Sequence, residues 1–101
     1  MTSDAKRNGH RRLLFPIDTL IFSQGVDRLM REGQLDPMPY LQRHIRGDWG
    51  DVTDDMWQEN NAALASGEPL GSLYIVTREL TIRIFTEADR SVTHVMLPSE
   101  S

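Results

Sequence analysis

The sequence contains no cysteine, and this absence excludes several classes of protein. Disulfide scaffolds, thiol nucleophiles, cysteine-ligated zinc sites and iron–sulfur centres all require that side chain. Long apolar runs are also missing, since runs such as 13–15 and 95–97 are far shorter than the roughly 18 residues that cross a bilayer. No apolar stretch of signal-peptide length follows the N-terminus. We therefore expect a cytoplasmic protein that makes no membrane contact.

Lysine is almost absent as well, because Lys6 is the single lysine among eleven basic residues. The others are arginines, which favour planar, bidentate contacts with carboxylates and phosphates. Residues 1–12 hold four basic residues and one acidic residue, a balance of +3 within a net charge of −4. The remainder of the chain therefore carries −7. Residues 48–76 contain six acidic residues and no Lys or Arg.

The 101 residues are 39% hydrophobic and 26% charged, values that are typical of a globular protein. This length leaves room for one hydrophobic core. Residues 1–12 show no apolar periodicity, so we predict a disordered basic arm there. A single domain should follow from 13 to 98, with a short tail at 99–101.

Start and stop signals predict three helices. Ser23, Asp36 and Thr53 are capping residues at helix starts, and Pro37 suits the first turn of the second helix. Apolar residues then recur at helical spacing, and each helix ends at a glycine. These signals place the helices at about 23–33, 36–47 and 53–67.

After Pro69 the hydrophobic period changes from 3.6 to 2, which predicts strands. Three strands are expected near 73–77, 80–85 and 92–97, and their short connections favour an antiparallel meander. Residues 13–15 and 19–22, split by Pro16 and Asp18, are a candidate fourth strand with an irregular entry. We therefore predict an α+β fold in which a three- or four-stranded antiparallel sheet is covered on one face by about three short helices.

Two strings in the sequence are distinctive. The first is His44-x-x-Gly-Asp-Trp-Gly-Asp51, and the second is Thr86-Glu-Ala-Asp-Arg-Ser-Val-Thr93. With these strings, residues 40–98 resemble a family of small bacterial proteins that are labelled hypothetical or plasmid-related, and sometimes restriction-enzyme subunits. The resemblance implies that the protein is encoded on plasmids or other mobile elements and that it interacts with host defence systems. It implies no activity.

The first string forms a loop between two predicted helices. One interpretation makes Trp49 an exposed anchor for a partner, flanked by Asp48 and Asp51, because tryptophan often dominates interface affinity. The alternative is that Trp49 fills the core, while the carboxylates accept hydrogen bonds from free backbone N–H groups of the next helix.

The acidic residues Asp48, Asp51, Asp54 and Asp55 have three interpretations. Oxygen ligands could bind a divalent cation, but the spacing is not that of a calcium loop, and we predict neither a metal nor a cofactor. Asp54 and Asp55 suit the positive end of a helix without any ligand. Alternatively, the group imitates nucleic-acid phosphates and occupies a basic groove of another protein.

The second string lies in a turn between two predicted strands. Glu87 and Arg90 could pair across this turn, with Asp89 or Ser91 fixing the backbone. Alternatively, Arg90 together with Arg83 presents a guanidinium to a carboxylate or phosphate of a partner.

No arrangement of nucleophile, base and acid is apparent, so we predict no catalytic residue. The three histidines are far apart in the sequence, and none lies beside a hydroxyl in a Gly-x-Ser-x-Gly motif. His44 shares a helix face with Leu41 and Ile45. We expect it to be half-buried and hydrogen-bonded by its ring.

These observations favour a non-enzymatic module that binds another protein or protein complex. The resemblance adds the hypothesis that it modulates or inhibits a bacterial defence complex, such as CRISPR or restriction machinery. One alternative is a DNA-associated regulator whose arm contacts phosphates, and another is an enzyme of unknown type. A homodimer formed through the sheet edge is also open. The candidate nucleic-acid contacts of the arm are Lys6, Arg7, Arg11 and Arg12.

Overall fold

The computed structural model describes residues 13–100 and shows an α+β fold, which confirms the predicted class. Three helices and four strands are present, and a short 3₁₀ helix, Pro98–Glu100, follows the last strand. In chain order the elements are β1 Thr19–Phe22, α1 Gln24–Arg31, α2 Met38–Ile45, α3 Asp54–Ser66, β2 Leu70–Thr77, β3 Leu80–Thr86 and β4 Val92–Met96.

The strands form one mixed sheet with the order β1-β4-β3-β2. The antiparallel meander of β2, β3 and β4 matches the prediction. The fourth strand, β1, is parallel to β4, with Thr19 opposite Val92 and Phe22 opposite Val95. All three helices separate β1 from the meander in the sequence. A connection of this length can return the chain in either direction, so the pattern of β1 could not fix its orientation.

Two of the three predicted capping residues begin their helices, whereas α2 begins after Pro37 and Asp36 lies one residue before that cap, with its Oδ1 accepting from Met38 N at 3.1 Å. Ser23 Oγ accepts a hydrogen bond from Val26 N at 3.2 Å, and Thr53 Oγ1 accepts one from Met56 N at 3.2 Å. Each bond satisfies a donor that the first helical turn leaves free. Gly67 ends α3 with a left-handed φ of 81°. The other two helices end before their predicted glycines.

The helices cover one face of the sheet, as predicted. Side chains on that face alternate with those on the other and are buried. The covered residues of β2, β3 and β4 are Leu70, Ser72, Tyr74, Ile82, Ile84, Thr86, Thr93 and Val95. The opposite face carries half-buried and exposed side chains.

Two hydrophobic clusters fill the space under the helices. The first joins α1 and α2 to the sheet through Val26 and Leu41. The second joins α3 to β2 through Ala63 and Leu70, and includes Phe15 and Trp49.

Glu100, which the sequence analysis placed in the tail, folds back onto the start of α1. Its carboxylate accepts hydrogen bonds from Ser23 Oγ, from Gly25 N at 2.9 Å and from Leu97 N at 2.9 Å. The bond from Ser23 is the main reason that the pKa of Glu100 is lowered. This residue therefore adds an acceptor at the positive end of α1.

Candidate functional site

Trp49 is completely buried, with 0% of its surface exposed. Its indole Nε1 donates to Asn61 Oδ1 at 2.9 Å, and its ring meets the His44 ring edge-on at 5.5 Å. Gly50 makes this position possible: its φ is 79°, and a Cβ there would lie 2.2 Å from the Leu73 carbonyl oxygen. Trp49 is therefore a core residue, and the interpretation that makes it an exposed anchor is wrong.

Asp48 and Asp51 hold the loop against the body of the protein. Asp48 accepts hydrogen bonds from Arg43 Nε at 2.8 Å and from Gly50 N at 3.1 Å. The bond to Asp48 is the main reason that the pKa of Arg43 is raised. Asp51 Oδ2 accepts from Ile75 N at 2.9 Å. The carboxylates thus bind backbone of the loop and of β2, whereas the alternative interpretation had placed them on the next helix.

Asp54 and Asp55 differ from these two aspartates because they are exposed in the first turn of α3. Glu59 is exposed one turn further along the same helix. None of the three forms an ion pair with a cation among residues 13–100. We call Asp54, Asp55 and Glu59 the acidic surface.

The Arg90 side chain is hydrogen-bonded to backbone carbonyl groups of the same chain. Its guanidinium donates to the carbonyl oxygens of Ala63 at 2.9 Å, Glu68 at 2.7 Å and Glu87 at 3.4 Å. The predicted side-chain pair between Glu87 and Arg90 is wrong, because the Glu87 carboxylate is hydrogen-bonded to His94 Nε2 at 2.8 Å. Arg90 therefore has carbonyl partners within its own chain and does not present a free guanidinium to a partner protein.

The Asp89 carboxylate fixes this turn, as one of the interpretations expected. It accepts hydrogen bonds from Ser91 N at 3.0 Å and from Ser91 Oγ at 2.6 Å. These bonds lower the pKa of Asp89.

His44 is fully buried rather than half-buried, and both ring nitrogens have partners. Nδ1 lies 2.5 Å from Ser72 Oγ, and Nε2 lies 2.9 Å from Thr86 Oγ1. Thr86 Oγ1 is in turn 2.9 Å from Thr93 Oγ1. Burial, with a smaller contribution from the charge of Arg90, lowers the pKa of His44 to about 3. The imidazole is therefore neutral at physiological pH and surrounded by hydroxyl groups.

This chain of hydroxyls was not predicted, although the sequence carries a signal for it. Ser72, Thr86 and Thr93 occupy covered positions of three adjacent strands, where the alternating pattern otherwise places apolar residues. Buried hydroxyls need a hydrogen-bond partner. Such a partner can come from a polar residue on a helix that packs against the same face of the sheet. Here that residue is His44.

The uncovered sheet face holds a second group that the sequence analysis did not bring together. Arg83, in the middle of β3, lies between Leu73 of β2 and Met96 of β4 in the strand register. Its guanidinium carbon is 5.6 Å from the centre of the Phe85 ring. We call Leu73, Arg83, Phe85 and Met96 the open sheet face.

Two grooves flank Arg83. One, of about 200 Å³, lies on the side of Asp51, Met56 and Gly71. The other, of about 350 Å³, lies on the side of Phe85 and Met96.

Several other predictions concern metals, membranes and the arm. Within residues 13–100, no three His, Asp or Glu side chains gather closely enough to hold a metal ion. No helix in this part of the chain combines the length and apolar character that a membrane span requires. The arm residues Lys6, Arg7, Arg11 and Arg12 lie outside the described residues.

No family model, curated protein or solved structure matches this chain.

Proposed function

We propose that this protein is a non-enzymatic module that binds another protein, and that its partner belongs to a bacterial defence complex of the CRISPR or restriction type. In this proposal it acts in the cytoplasm and derives from a plasmid or another mobile element. The likeness of the strings around Trp49 and Asp89 to plasmid-related proteins supports that context.

The observation that carries the proposal is the acidic surface. Three carboxylates project from one end of α3, and no cation of the described chain neutralises them. The defence complexes named here act on nucleic acid, so they hold basic grooves for phosphates. A negatively charged protein surface can occupy such a groove, because complementary potentials both speed encounter and select the partner.

The structure narrows which acidic residues can serve this role. Asp48 and Asp51 are engaged by Arg43, Gly50 and Ile75, so changing them would disturb the loop that holds Trp49. Asp54, Asp55 and Glu59 have no such engagement among the described residues. A test of the surface should therefore change these three alone.

The experiment measures establishment of a targeted plasmid in cells that carry an active CRISPR or restriction system. Expression of the protein should raise transformation by about tenfold or more. The triple variant Asp54→Asn, Asp55→Asn, Glu59→Gln should lose most of that gain, because the charges that face the basic groove are removed while side-chain size is kept.

A matched control removes the same number of exposed acidic residues elsewhere, through Asp18→Asn, Glu32→Gln and Glu79→Gln. This control should retain the gain, and far-UV circular dichroism should show that both triple variants are folded. Full activity of the acidic-surface variant would reject the role of that surface. Absence of any gain with the natural protein would reject the defence complex as partner.

A further inference from the structure

The open sheet face has a positive charge at its centre that pairs with no acidic residue between 13 and 100. Arg83 is half-buried, and its neighbours across the sheet, Leu73 and Met96, are apolar. Along its own strand the neighbours on that face are Thr81 and Phe85. No carboxylate among residues 13–100 forms an ion pair with Arg83. A partly desolvated guanidinium without an anion is costly unless a partner supplies one.

Two acidic side chains on this side of the sheet are already engaged. The Glu100 carboxylate is held by Ser23, Gly25 and Leu97 at the start of α1. The Glu87 carboxylate is hydrogen-bonded to His94. Neither of these carboxylates forms an ion pair with Arg83.

Gly71 keeps the face open beside the Phe85 ring. It is opposite Phe85 in the register, and a Cβ built on it would have a single neighbour within 4 Å, Arg83 Nη2, at 4.0 Å. Glycine weakens a strand interior and often marks a close approach by another molecule. A larger side chain at this position would meet no steric clash and no left-handed backbone. The reason for a glycine here is instead that a side chain would fill the groove that Gly71 lines.

We propose that the open sheet face is a docking surface for a protein segment that presents a carboxylate side chain flanked by apolar side chains. The carboxylate would pair with Arg83, and the apolar groups would fill the two grooves on either side of it. Arginine binds carboxylates in a bidentate manner, and apolar walls strengthen the pair by excluding water. One groove is lined by Thr53 and Met56 and therefore borders the acidic surface, but the two surfaces share no residue, and this proposal rests on the proposed function only in that both bind protein.

The charges around the face favour protein over nucleic acid. Arg83 is the single arginine or lysine that lines either groove, and one carboxylate lines each groove, Asp51 in the first and Glu100 in the second. A nucleic-acid strand brings a phosphate with every nucleotide and needs several cations along its path. A protein segment with a single carboxylate, by contrast, supplies the one anion that can pair with the Arg83 guanidinium.

The experiment selects ligands from a displayed library of random dodecapeptides on the immobilised full-length protein. Enriched peptides should carry Asp or Glu between apolar residues. Their affinity is then measured by fluorescence anisotropy for the natural protein and for three variants. Arg83→Met keeps the apolar stem but removes the charge, and should weaken binding by about tenfold or more. Gly71→Val fills the groove and should weaken binding while favouring the strand.

Arg78→Met is the matched control, because it removes one exposed arginine from the turn between β2 and β3. It should leave peptide affinity unchanged. The melting temperature of Arg83→Met should be no lower than that of the natural protein, since no described ion pair is lost.

Four results would overturn the proposal. These are no enrichment of peptides, enrichment without a carboxylate, equal binding by Arg83→Met and Gly71→Val, or stronger binding of single-stranded oligonucleotides than of any peptide. The triple variant of the acidic surface should bind the selected peptides normally, so failure of one proposal does not imply failure of the other.

Discussion

His44 is the residue whose environment has the clearest consequence for stability. It is buried between the aromatic rings of Phe15 and Trp49 and the hydroxyls of Ser72 and Thr86. Its pKa is about 3 in the folded protein, against 6.5 for an unperturbed imidazole. The folded state therefore binds a proton at His44 much more weakly than the unfolded state does.

Stability should fall as the pH is lowered through this window. Above pH 6.5 both states are neutral, and His44 contributes no pH dependence. Between pH 6.5 and about pH 3 His44 is protonated only in the unfolded state, so each pH unit by which the pH falls lowers the free energy of unfolding by about 1.4 kcal/mol. The free energy of unfolding should therefore drop by about 2 kcal/mol from pH 7 to pH 5, as measured by urea denaturation at the two values.

A variant at this position separates His44 from other titrating groups. His44→Gln keeps an uncharged polar side chain and should lose most of the drop between pH 7 and pH 5, whatever its effect on stability at pH 7. Asp89 and Glu100 have lowered pKa values and affect stability only at lower pH. An unchanged drop in the glutamine variant would show that His44 is not the group responsible.

At the scale of elements, α3 depends on a residue that is distant in the sequence. Arg90 donates to the carbonyl oxygen of Ala63, which also accepts from Gly67 N at the end of α3, and to that of Glu68 just after the helix. Its own φ is 66°, a left-handed conformation that a residue with a Cβ adopts at a cost. The hydrogen bonds thus stabilise α3 and offset backbone strain in the turn.

Two substitutions at this position should differ in a defined way. Arg90→Ala loses the three hydrogen bonds and keeps the strain, so the free energy of unfolding should fall by about 2–3 kcal/mol. Arg90→Gly loses the same bonds but relieves the strain, and should recover about 1 kcal/mol of that loss. Urea denaturation measures both, with Arg78→Ala as a control that should be nearly neutral. Equal stability of the two variants would contradict the role of the left-handed φ.

The elements also show which parts of the fold a sequence can reveal. Helix starts at Ser23 and Thr53 were predicted correctly because each cap is satisfied within three residues of itself. The direction of β1 and two of the carbonyl partners of Arg90, Ala63 and Glu68, were not, because they depend on segments more than twenty residues away. The same reason applies to Glu100, whose partner Ser23 is 77 positions away.

The candidate site was harder to predict than the fold. Trp49 and Asp48 looked like interface residues because a tryptophan between glycines and acids suits an exposed loop. Only the parallel bridge between Gly50 and Leu73 reveals that the loop runs along the edge of β2 and buries the ring. Arg83 was considered only as a companion of Arg90, because its apolar neighbours come from two other strands.

At the scale of the whole molecule, the two hydrophobic clusters meet at the polar chain of His44. Phe15 and Trp49, whose rings contact His44, belong to one cluster. Strands β2 and β3 carry its hydroxyl partners and also contribute Tyr74 and Ile84 to the other cluster. Neither cluster can open without breaking hydrogen bonds that the other needs, so the described domain should unfold as one unit.

This cooperativity can be measured with a single fluorescent reporter. Trp57→Phe leaves Trp49 as the only tryptophan, which reports on the second cluster, while far-UV circular dichroism reports on all helices and strands. The two urea curves should coincide in midpoint and slope, as two-state unfolding requires. Fluorescence that changes at lower urea would show that the cluster around Trp49 opens first. In that case the His44 hydrogen bonds would break while the rest of the sheet was still folded. These bonds would then not couple the two clusters.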